Sequence, residues 1–258
     1  MESRIVGKIA IVTGATSGIG RSCARELAKL GVNVIVTGRR QGMLEAVRME
    51  VEALGAKSIA VVMDVSNSKD VMEKINSLPP EWANIDILVN NAGLARGTDK
   101  LYESNIEDFD EVVDTNVKGT LYMIKAVVPQ MIQRNAPGVV INMGSVAGNT
   151  AYAGGAVYCA TKAAIRYISD GLRIDTMESR VKVTNIEPGI VETDFSIIRY
   201  RGDEAKAKAV YTGIESLTPD DIAETVAYIC NLPENVQIPE IVMTPNKQAD
   251  ALNKFYVK

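Results

Sequence analysis

Tyr158 and Lys162 are the two residues whose types and spacing most directly predict chemistry. They are four positions apart within residues 153–177, a segment whose pattern predicts a long helix, so they are expected on one helix face. A cation near a phenol favours the phenolate, and we expect the pKa of Tyr158 to move from its usual value of about 10 toward working pH. Such a pair could act as a general acid or base. The alternative is a purely structural helix face, since this spacing is common on amphipathic helices.

Ser145 is expected to join the pair because it follows the apolar run 139–143, which predicts a buried strand. A polar residue at the carboxyl end of such a strand faces the crevice where open α/β sheets bind ligands. Residues 135–161 carry no charge, but their glycines, proline and amides argue against a membrane span. Three polar groups are thus expected to meet in a pocket with little competing charge.

Composition excludes several other chemistries. The chain of 258 residues has no histidine, which removes Ser-His-Asp and Cys-His catalysis and the usual zinc sites, so we expect no metal. With 28 basic and 32 acidic residues, it lacks the basic excess typical of nucleic-acid binding. The three cysteines show no metal-ligand spacing and the first residues show no secretory signal. We therefore expect a cytoplasmic protein with neither nucleic acid nor membrane as a partner.

The elements that must position these residues alternate along the chain. Alternating strands and helices indicate one α/β domain, 1–258, with a Rossmann-like doubly wound parallel sheet and helices on both faces. Residues 190–218 have no clean period and are interpreted as a substrate lid, followed later by a polar C-terminal tail, 244–258. The predicted strands are 8–12, 32–36, 58–63, 85–89, 139–143, 180–186 and 238–243, and the predicted helices are 21–30, 43–54, 69–78, 105–135 (interrupted near residue 116), 153–177 and 219–231.

A glycine-rich turn follows the first predicted strand directly. Gly14, Gly18 and Gly20 are spaced G-x-x-x-G-x-G between that strand and the first predicted helix. Glycines permit a tight turn and a close approach of backbone N–H groups to a pyrophosphate, and the helix N-terminus favours negative charge. This arrangement predicts a dinucleotide cofactor.

Arg39 and Arg40 follow the second predicted strand, where NAD-binding folds usually carry an acid for the ribose 2′-hydroxyl. Arginine at this place accommodates a 2′-phosphate through bidentate contacts. The pair therefore predicts NADP(H) rather than NAD. The alternative is a solvated helix start, although cations at a helix N-terminus are unfavourable.

Three further positions end predicted strands or interrupt a predicted helix. Asp64, with Val65, could contact the adenine amino group or could cap the next helix. Asn91, Ala92 and Gly93 suit a close approach of the cofactor, although an ordinary turn explains them as well. Asn116 is a poor helix former inside a predicted helix, and its amide must find partners if it is buried.

Together these motifs resemble the short-chain dehydrogenase/reductase family over nearly the whole chain. The resemblance implies a sheet order of 3-2-1-4-5-6-7 and a homotetramer formed through the helices at 116–133 and 153–177. It also implies cofactor contacts from a set of residues on the loops that follow the strands. The residues expected to bind the cofactor are Gly14, Thr16, Ser17, Gly18, Ile19, Gly20, Arg39, Arg40, Asp64, Val65, Asn91, Ala92, Gly93, Tyr158, Lys162, Pro188, Gly189, Val191 and Thr193.

The same resemblance implies a role for each catalytic residue. Tyr158 would be the acid–base group and Ser145 would orient the substrate. Lys162 would bind the ribose and lower the pKa of the phenol, and Asn116 would anchor a proton-relay water. Thr193 would hold the nicotinamide carboxamide.

Segments 78–88, 152–155 and 186–189 are also similar to the NADP-dependent 3-hydroxy acid dehydrogenases. That similarity implies reversible hydride transfer between NADP(H) and a small hydroxy acid such as serine or allo-threonine. Arg199 in the predicted lid is our candidate for the substrate carboxylate, with a surface arginine as the alternative. Two other functions remain open: an NADPH-dependent reductase of ketones, sugars or acyl-carrier ketoesters, and a non-catalytic NADP-sensing protein.

Overall fold

A single seven-stranded parallel sheet forms the centre of the molecule in the computed structural model, which describes residues 3–255. The strand order is β3-β2-β1-β4-β5-β6-β7, and every neighbouring pair is parallel, which confirms the predicted fold and order. The strands are β1 (Ile9–Val12), β2 (Asn33–Gly38), β3 (Ser58–Val62), β4 (Ile87–Asn90), β5 (Gly138–Met143), β6 (Val181–Pro188) and β7 (Glu240–Met243).

Helices cover both faces of this sheet because successive strand residues point to opposite sides. In β1, Ala10 and Val12 pack into one core with Leu27, whereas Ile11 packs into the other core with Met123. The helices are α1 (Gly18–Lys29), α2 (Gln41–Ala53), α3 (Ser68–Asn76), α4 (Ile106–Val113), α5 (Gly119–Gln133), α6 (Ala156–Asp175), α7 (Phe195–Arg199), α8 (Glu204–Ala209) and α9 (Pro219–Cys230).

The order of the strands reverses between β1 and β4, which lie side by side although they are not consecutive in the chain. In open α/β sheets, a crevice forms outside the carboxyl ends of the strands at such a point. The glycine turn follows β1, and Ser145 follows β5. The topology therefore collects the predicted motifs at one edge.

The helix predicted at 105–135 is interrupted at the expected place. α4 and α5 are separated by a π-helical turn, Asp114–Lys118, which contains Asn116. A side chain on Gly119 would meet Val65, since an added Cβ would lie 2.9 Å from its Cγ2 atom. The break thus accompanies a close approach to the loop after β3.

The predicted lid and tail are more structured than their sequences indicated. Residues 190–218 contain α7 and α8, which are too short to produce a clear hydrophobic period. Residues 247–255 of the predicted tail form a hairpin with an antiparallel bridge between Gln248 and Lys254. Residues 256–258, the remainder of the predicted tail, lie outside the described part of the chain.

Candidate active site

A cavity of about 590 Å³ opens at the carboxyl ends of the strands, a size typical of small-molecule and cofactor sites. It brings together nearly all of the residues proposed from the sequence. Those that line it are Gly14, Thr16, Ser17, Gly18, Ile19, Arg39, Arg40, Asp64, Val65, Asn91, Ala92, Gly93, Ser145, Tyr158, Lys162, Pro188, Gly189, Val191, Thr193 and Arg199.

The glycine turn after β1 can approach a phosphate closely. Gly14 has a φ of +65°, and an added Cβ would lie 2.9 Å from the Cα of Ala92. Ser17 precedes α1 and makes no side-chain capping hydrogen bond, which leaves the first-turn N–H groups available to an anion. This backbone fits a pyrophosphate. Gly20 does not line the cavity, because its missing side chain instead makes room for the carbonyl of Gly14 and the amide of Asn91.

Arg39 and Arg40 stand at the mouth of the cavity, between β2 and α2. The Nη2 atom of Arg40 donates to the Thr16 hydroxyl at 2.6 Å, which ties it to the glycine turn. Neither arginine forms a salt bridge with any residue that the structure describes. Their positive charge is therefore free to meet a phosphate beside the turn.

The structure separates the two alternatives for Asp64. Its carboxylate accepts hydrogen bonds from the backbone N–H and the hydroxyl of Ser66, at 3.0 and 2.7 Å. α3 is capped instead by Asn67, whose side chain accepts from the N–H groups of Lys69 and Asp70. The capping alternative is therefore wrong, because Asp64 precedes the helix start by too many residues.

The loop after β4 is bound to the loop after β1. The backbone N–H groups of Asn91 and Ala92 both donate to the Thr13 hydroxyl at 3.0 Å. The side-chain amide of Asn91 donates to the Thr13 carbonyl at 2.9 Å. The cavity wall at this point is a fixed joint between two strand ends.

Ser145 and Tyr158 meet in the cavity as predicted. Ser145 caps a single 3₁₀ turn by accepting from the N–H of Ala147, and its hydroxyl also donates to the Pro188 carbonyl at 3.3 Å. Tyr158 lies in the first turn of α6, and its ring is 5.6 Å from the ring of Phe195 in the lid. A hydrogen bond with Ser145 favours the phenolate of Tyr158.

The prediction that the pKa of Tyr158 is lowered is wrong when only the residues of the chain itself are considered. Burial raises the pKa of this phenol, and Tyr152 raises it further, against smaller opposing effects of Ser145 and Arg199. The Nζ atom of Lys162 lies 5.7 Å from the centre of the ring and donates to the Met143 carbonyl at 2.7 Å. Desolvation of the phenolate therefore outweighs the nearby cation.

Lys162 is itself 7% exposed, and burial lowers its pKa to about 8. A buried ammonium costs free energy unless it is paired, and this one donates a hydrogen bond to the Met143 carbonyl. This lysine is held in the cavity at the expense of stability, which is typical of functional groups.

Asn116 is buried behind the cavity rather than in its lining. Its Oδ1 atom accepts from the N–H of Leu94 at 2.8 Å, and its Nδ2 donates to the Leu94 carbonyl at 2.9 Å and to the Thr161 hydroxyl at 3.1 Å. The amide finds partners, as the sequence required. Its side chain thus joins the loop after β4 to α6, beside Tyr158 and Lys162.

Thr193 stands where the lid meets the glycine turn. Its methyl group would be 3.2 Å from a Cβ on Gly18. Its carbonyl accepts from the Tyr211 hydroxyl at 3.1 Å, and the same hydroxyl is 2.7 Å from that of Ser196. Tyr211 therefore fixes the base of the lid.

Arg199 faces the cavity, so the alternative of a surface arginine is wrong. Its Nε donates to the Gly97 carbonyl at 2.8 Å, and its Nη1 donates to the Tyr152 hydroxyl at 3.0 Å. Its guanidinium also lies 5.5 Å from the ring centre of Tyr152. These contacts aim a cation into the half of the cavity nearest Tyr158.

Sequence reasoning missed several residues of the substrate half. Within the described chain, groups of three or more His, Cys, Asp or Glu residues that could hold a metal ion are absent. No helix of residues 3–255 is long and apolar enough to cross a membrane. Tyr152 belongs to a segment that was singled out for its resemblance, but no role was predicted for it. The other missed residues carry no local motif, and only their position in the fold reveals them: Tyr211, Gln248, Ala251 and Lys254.

Comparisons with known proteins agree with this geometry. Residues 8–202 match the short chain dehydrogenase family. An NADP-dependent 3-hydroxy acid dehydrogenase of Schizosaccharomyces pombe is 43% identical over 258 residues, covering 99% of each chain. A protein of that name from Escherichia coli K12 is 46% identical over 244 residues, covering 94% of this chain and 97% of its own.

A solved structure of the closed form of serine dehydrogenase complexed with NADP⁺ superposes with a TM-score of 0.90. It is 44% identical and covers 97% of this chain and 100% of its own. The family match, the sequence identity and the fold thus agree with one another. The chain belongs to the short chain dehydrogenase family and is an oxidoreductase.

Proposed function

We propose that the protein transfers a hydride reversibly between NADP(H) and a small 3-hydroxy acid such as serine or allo-threonine. The observation that carries the proposal is one cavity containing Ser145, Tyr158 and Lys162 beside a phosphate cradle flanked by Arg39 and Arg40. The relatives named for NADP and 3-hydroxy acids support the same conclusion.

In the oxidation direction, Tyr158 accepts the proton of the substrate hydroxyl while the adjacent carbon loses a hydride and becomes a carbonyl. Ser145 holds the substrate oxygen in line, using the hydroxyl that also reaches the Pro188 carbonyl. A bound NADP⁺ would supply the hydride acceptor and a positive charge near the phenol. Because burial raises the pKa of Tyr158, that additional charge is needed to favour the phenolate.

Lys162 has two tasks in this proposal: it holds the ribose and contributes positive charge below Tyr158. Asn116 lies behind these groups, where its side chain joins α6 to the loop after β4. By fixing these two elements, it is proposed to anchor the path of a proton-relay water. Neither of the two tasks of Lys162 requires a large movement of its side chain.

The cofactor would extend along the remaining residues of the nucleotide side. Arg39 and Arg40 suit the 2′-phosphate, and Asp64, freed from helix capping, suits the adenine amino group. Thr193 suits the carboxamide of the nicotinamide. The other proposed contacts are Gly14, Thr16, Ser17, Gly18, Ile19, Val65, Asn91, Ala92, Gly93, Pro188, Gly189 and Val191.

Arg199 is proposed to receive the substrate carboxylate. Its described partners use Nε, one hydrogen of Nη1 and, at 3.4 Å, one hydrogen of Nη2 on the Gly154 carbonyl. A guanidinium has five N–H donors, so one on each terminal nitrogen remains for two carboxylate oxygens. Residues 190–218 would act as the lid of the single domain, 1–258.

We also infer a cytoplasmic homotetramer. Three cysteines that are all free and buried are typical of a reducing compartment. α5 and α6 expose large apolar side chains, including Tyr167 and Ile174. Such surfaces mark interfaces between chains. Light scattering should give four times the mass of one chain, and a monomeric mass would contradict the inference.

The decisive experiment is an NADP⁺ reduction assay across L- and D-serine, allo-threonine, 3-hydroxypropionate, 3-hydroxyisobutyrate and neutral secondary alcohols. We expect the hydroxy acids to give the highest kcat/KM. Preference for neutral ketones, sugars or acyl-carrier ketoesters in the reverse direction would replace the proposed substrate class. An absence of turnover with every carbonyl and alcohol would favour an NADP-sensing protein.

A further inference from the structure

The C-terminal hairpin, residues 247–255, is a defined element that folds onto the active site. The N–H of Phe255 donates to the Lys247 carbonyl and that of Ala249 to the Asn253 carbonyl, both at 2.9 Å. At its turn, the Asp250 carboxylate accepts from the N–H groups of Leu252 and Asn253. The hairpin therefore has a fixed shape.

Gln248 attaches this hairpin to the chain segment that follows β6. Its Oε1 atom accepts from the Ile190 N–H at 2.8 Å, and its Nε2 donates to the Asp250 carbonyl at 2.9 Å. The residue is 4% exposed and fills the space that a side chain on Gly189 would need. The hairpin is thus seated on the cavity wall, where Ala251 and Lys254 line the cavity.

Lys254 adds a second cation to the substrate side. Burial lowers its pKa, and the positive charge of Arg199 lowers it further, against an opposing effect of Asp250. Among residues 3–255 it has no salt-bridge partner. Asp250 is occupied by three hydrogen bonds within its own turn. Two cations that face one cavity without a paired acid predict an anionic ligand.

We propose that Lys254 forms a carboxylate subsite with Arg199 and so sets the preference for hydroxy acids over neutral alcohols. This proposal rests on the proposed function, since it names what recognises the acid group of that substrate. Arg199 is also close enough to Tyr158 to affect its ionisation, which places the subsite beside the reacting hydroxyl. A 3-hydroxy acid has its carboxylate only two carbons from the carbinol carbon, so one compact ligand can reach both.

Arg199 and Lys254 would contribute differently to this subsite because their side chains differ in chemistry. The planar guanidinium of Arg199 is fixed by Gly97 and Tyr152, and it offers directed donors. Lys254 offers a compact charge that can adjust to acids of different length. Because Lys254 is on the hairpin, its position in the cavity depends on the hydrogen bonds by which Gln248 holds the hairpin in place.

The test is a comparison of Lys254→Met with Lys254→Arg and with Lys247→Met, a charge-removing control on an exposed position of the same hairpin. We expect Lys254→Met to raise the KM for 3-hydroxypropionate about 10-fold, the effect of losing one charge-assisted hydrogen bond. The KM for NADP⁺ and kcat/KM for the neutral 3-hydroxypropionamide should stay within about twofold. Lys254→Arg should recover most of the loss, and Lys247→Met should match the wild type.

Binding is measured separately, as the affinity of 3-hydroxypropionate for the NADPH-loaded enzyme, which cannot oxidise it. If the wild type binds the acid but never turns it over, the proposed function fails while the subsite stands. If the wild type does not bind it, or if Lys254→Met binds it equally well, the subsite is refuted. Equal losses for acid and amide would also refute it, because they would indicate a structural role.

Discussion

The two sides of the active-site cavity are built in different ways. The nucleotide side consists of the loops after β1 to β4, each a few residues from a strand and joined by bonds such as those from Asn91 to Thr13. The proposed substrate side consists of segment 190–218, interpreted as a lid, and the C-terminal hairpin, which reach the cavity from distant parts of the chain. The first side is specified locally, whereas the second depends on long-range packing.

This difference predicts that substitutions on the two sides affect different quantities. Changes on the nucleotide side should alter cofactor binding and global stability. Changes on the substrate side should alter the KM for the acid. Tyr158, where the sides meet, should affect turnover alone.

The largest effect is expected for Tyr158→Phe, which removes the proton acceptor and keeps the ring against Phe195. General acid–base groups contribute typically about 10²–10⁴-fold, so we expect kcat to fall by about 10³. The affinity for NADPH, measured by fluorescence titration, should be unchanged. Retained turnover would remove Tyr158 from its proposed role.

The next largest effect should distinguish the affinity for NADPH from that for NADH. Arg39→Ala combined with Arg40→Ala removes the cations beside the glycine turn, and we expect the Kd for NADPH to rise about 10². The Kd for NADH, which lacks the 2′-phosphate, should change little. Lys29→Ala is a matched control on the exposed end of α1. Equal losses for both cofactors would contradict recognition of that phosphate.

A pair of glycine substitutions tests how rigid the nucleotide side is. A Cβ on Gly20 would overlap the Gly14 carbonyl, so Gly20→Ala should lower the free energy of unfolding by about 3 kcal/mol and weaken NADPH binding. Gly42→Ala in α2 meets no atom within 4 Å and should stabilise the protein by up to about 1 kcal/mol. Urea unfolding measures both, and equal effects would show that the turn is more adaptable than its packing indicates.

Lys162 provides a smaller change in the free energy of unfolding than Gly20→Ala, but one with a diagnostic dependence on pH. Its pKa is about 8 in the folded protein against 10.5 for the unperturbed group, so the unfolded state binds more protons between these values. The cost of burying this charge is therefore full below pH 8 and is relieved as the pH rises toward 10.5.

Lys162→Met should consequently raise the free energy of unfolding at pH 7 by about 2 kcal/mol, after the lost bond to Met143 is deducted, while it removes activity. The gain should shrink by pH 10. Lys69→Met, exposed on α3, is the control and should show neither effect. If Lys162→Met were less stable than the wild type at pH 7, the surrounding groups would offset the cost of burying the ammonium, and the prediction would fail.

The same contrast explains what could be predicted from the sequence. Strand order, the glycine turn and the convergence of Ser145, Tyr158 and Lys162 were accessible because each depends on a local pattern or on a resemblance that covers the whole chain. The direction of the pKa change at Tyr158 was not, since burial is a property of the folded cavity. Gln248 and Lys254 lie in a polar segment whose role depends on a docking contact about sixty positions away in the sequence, at Ile190.

Arg199 links the position of segment 190–218 to the binding of the acid. The guanidinium that joins the proposed lid to Gly97 and Tyr152 is the same group that is proposed to bind the substrate carboxylate. Closure and carboxylate binding are then thermodynamically coupled, and each must strengthen the other by the same factor. A neutral alcohol would contribute nothing to this coupling, so the enzyme would spend less time closed around it. Selection of the acid would thus operate through the lifetime of the closed state as well as through direct contact.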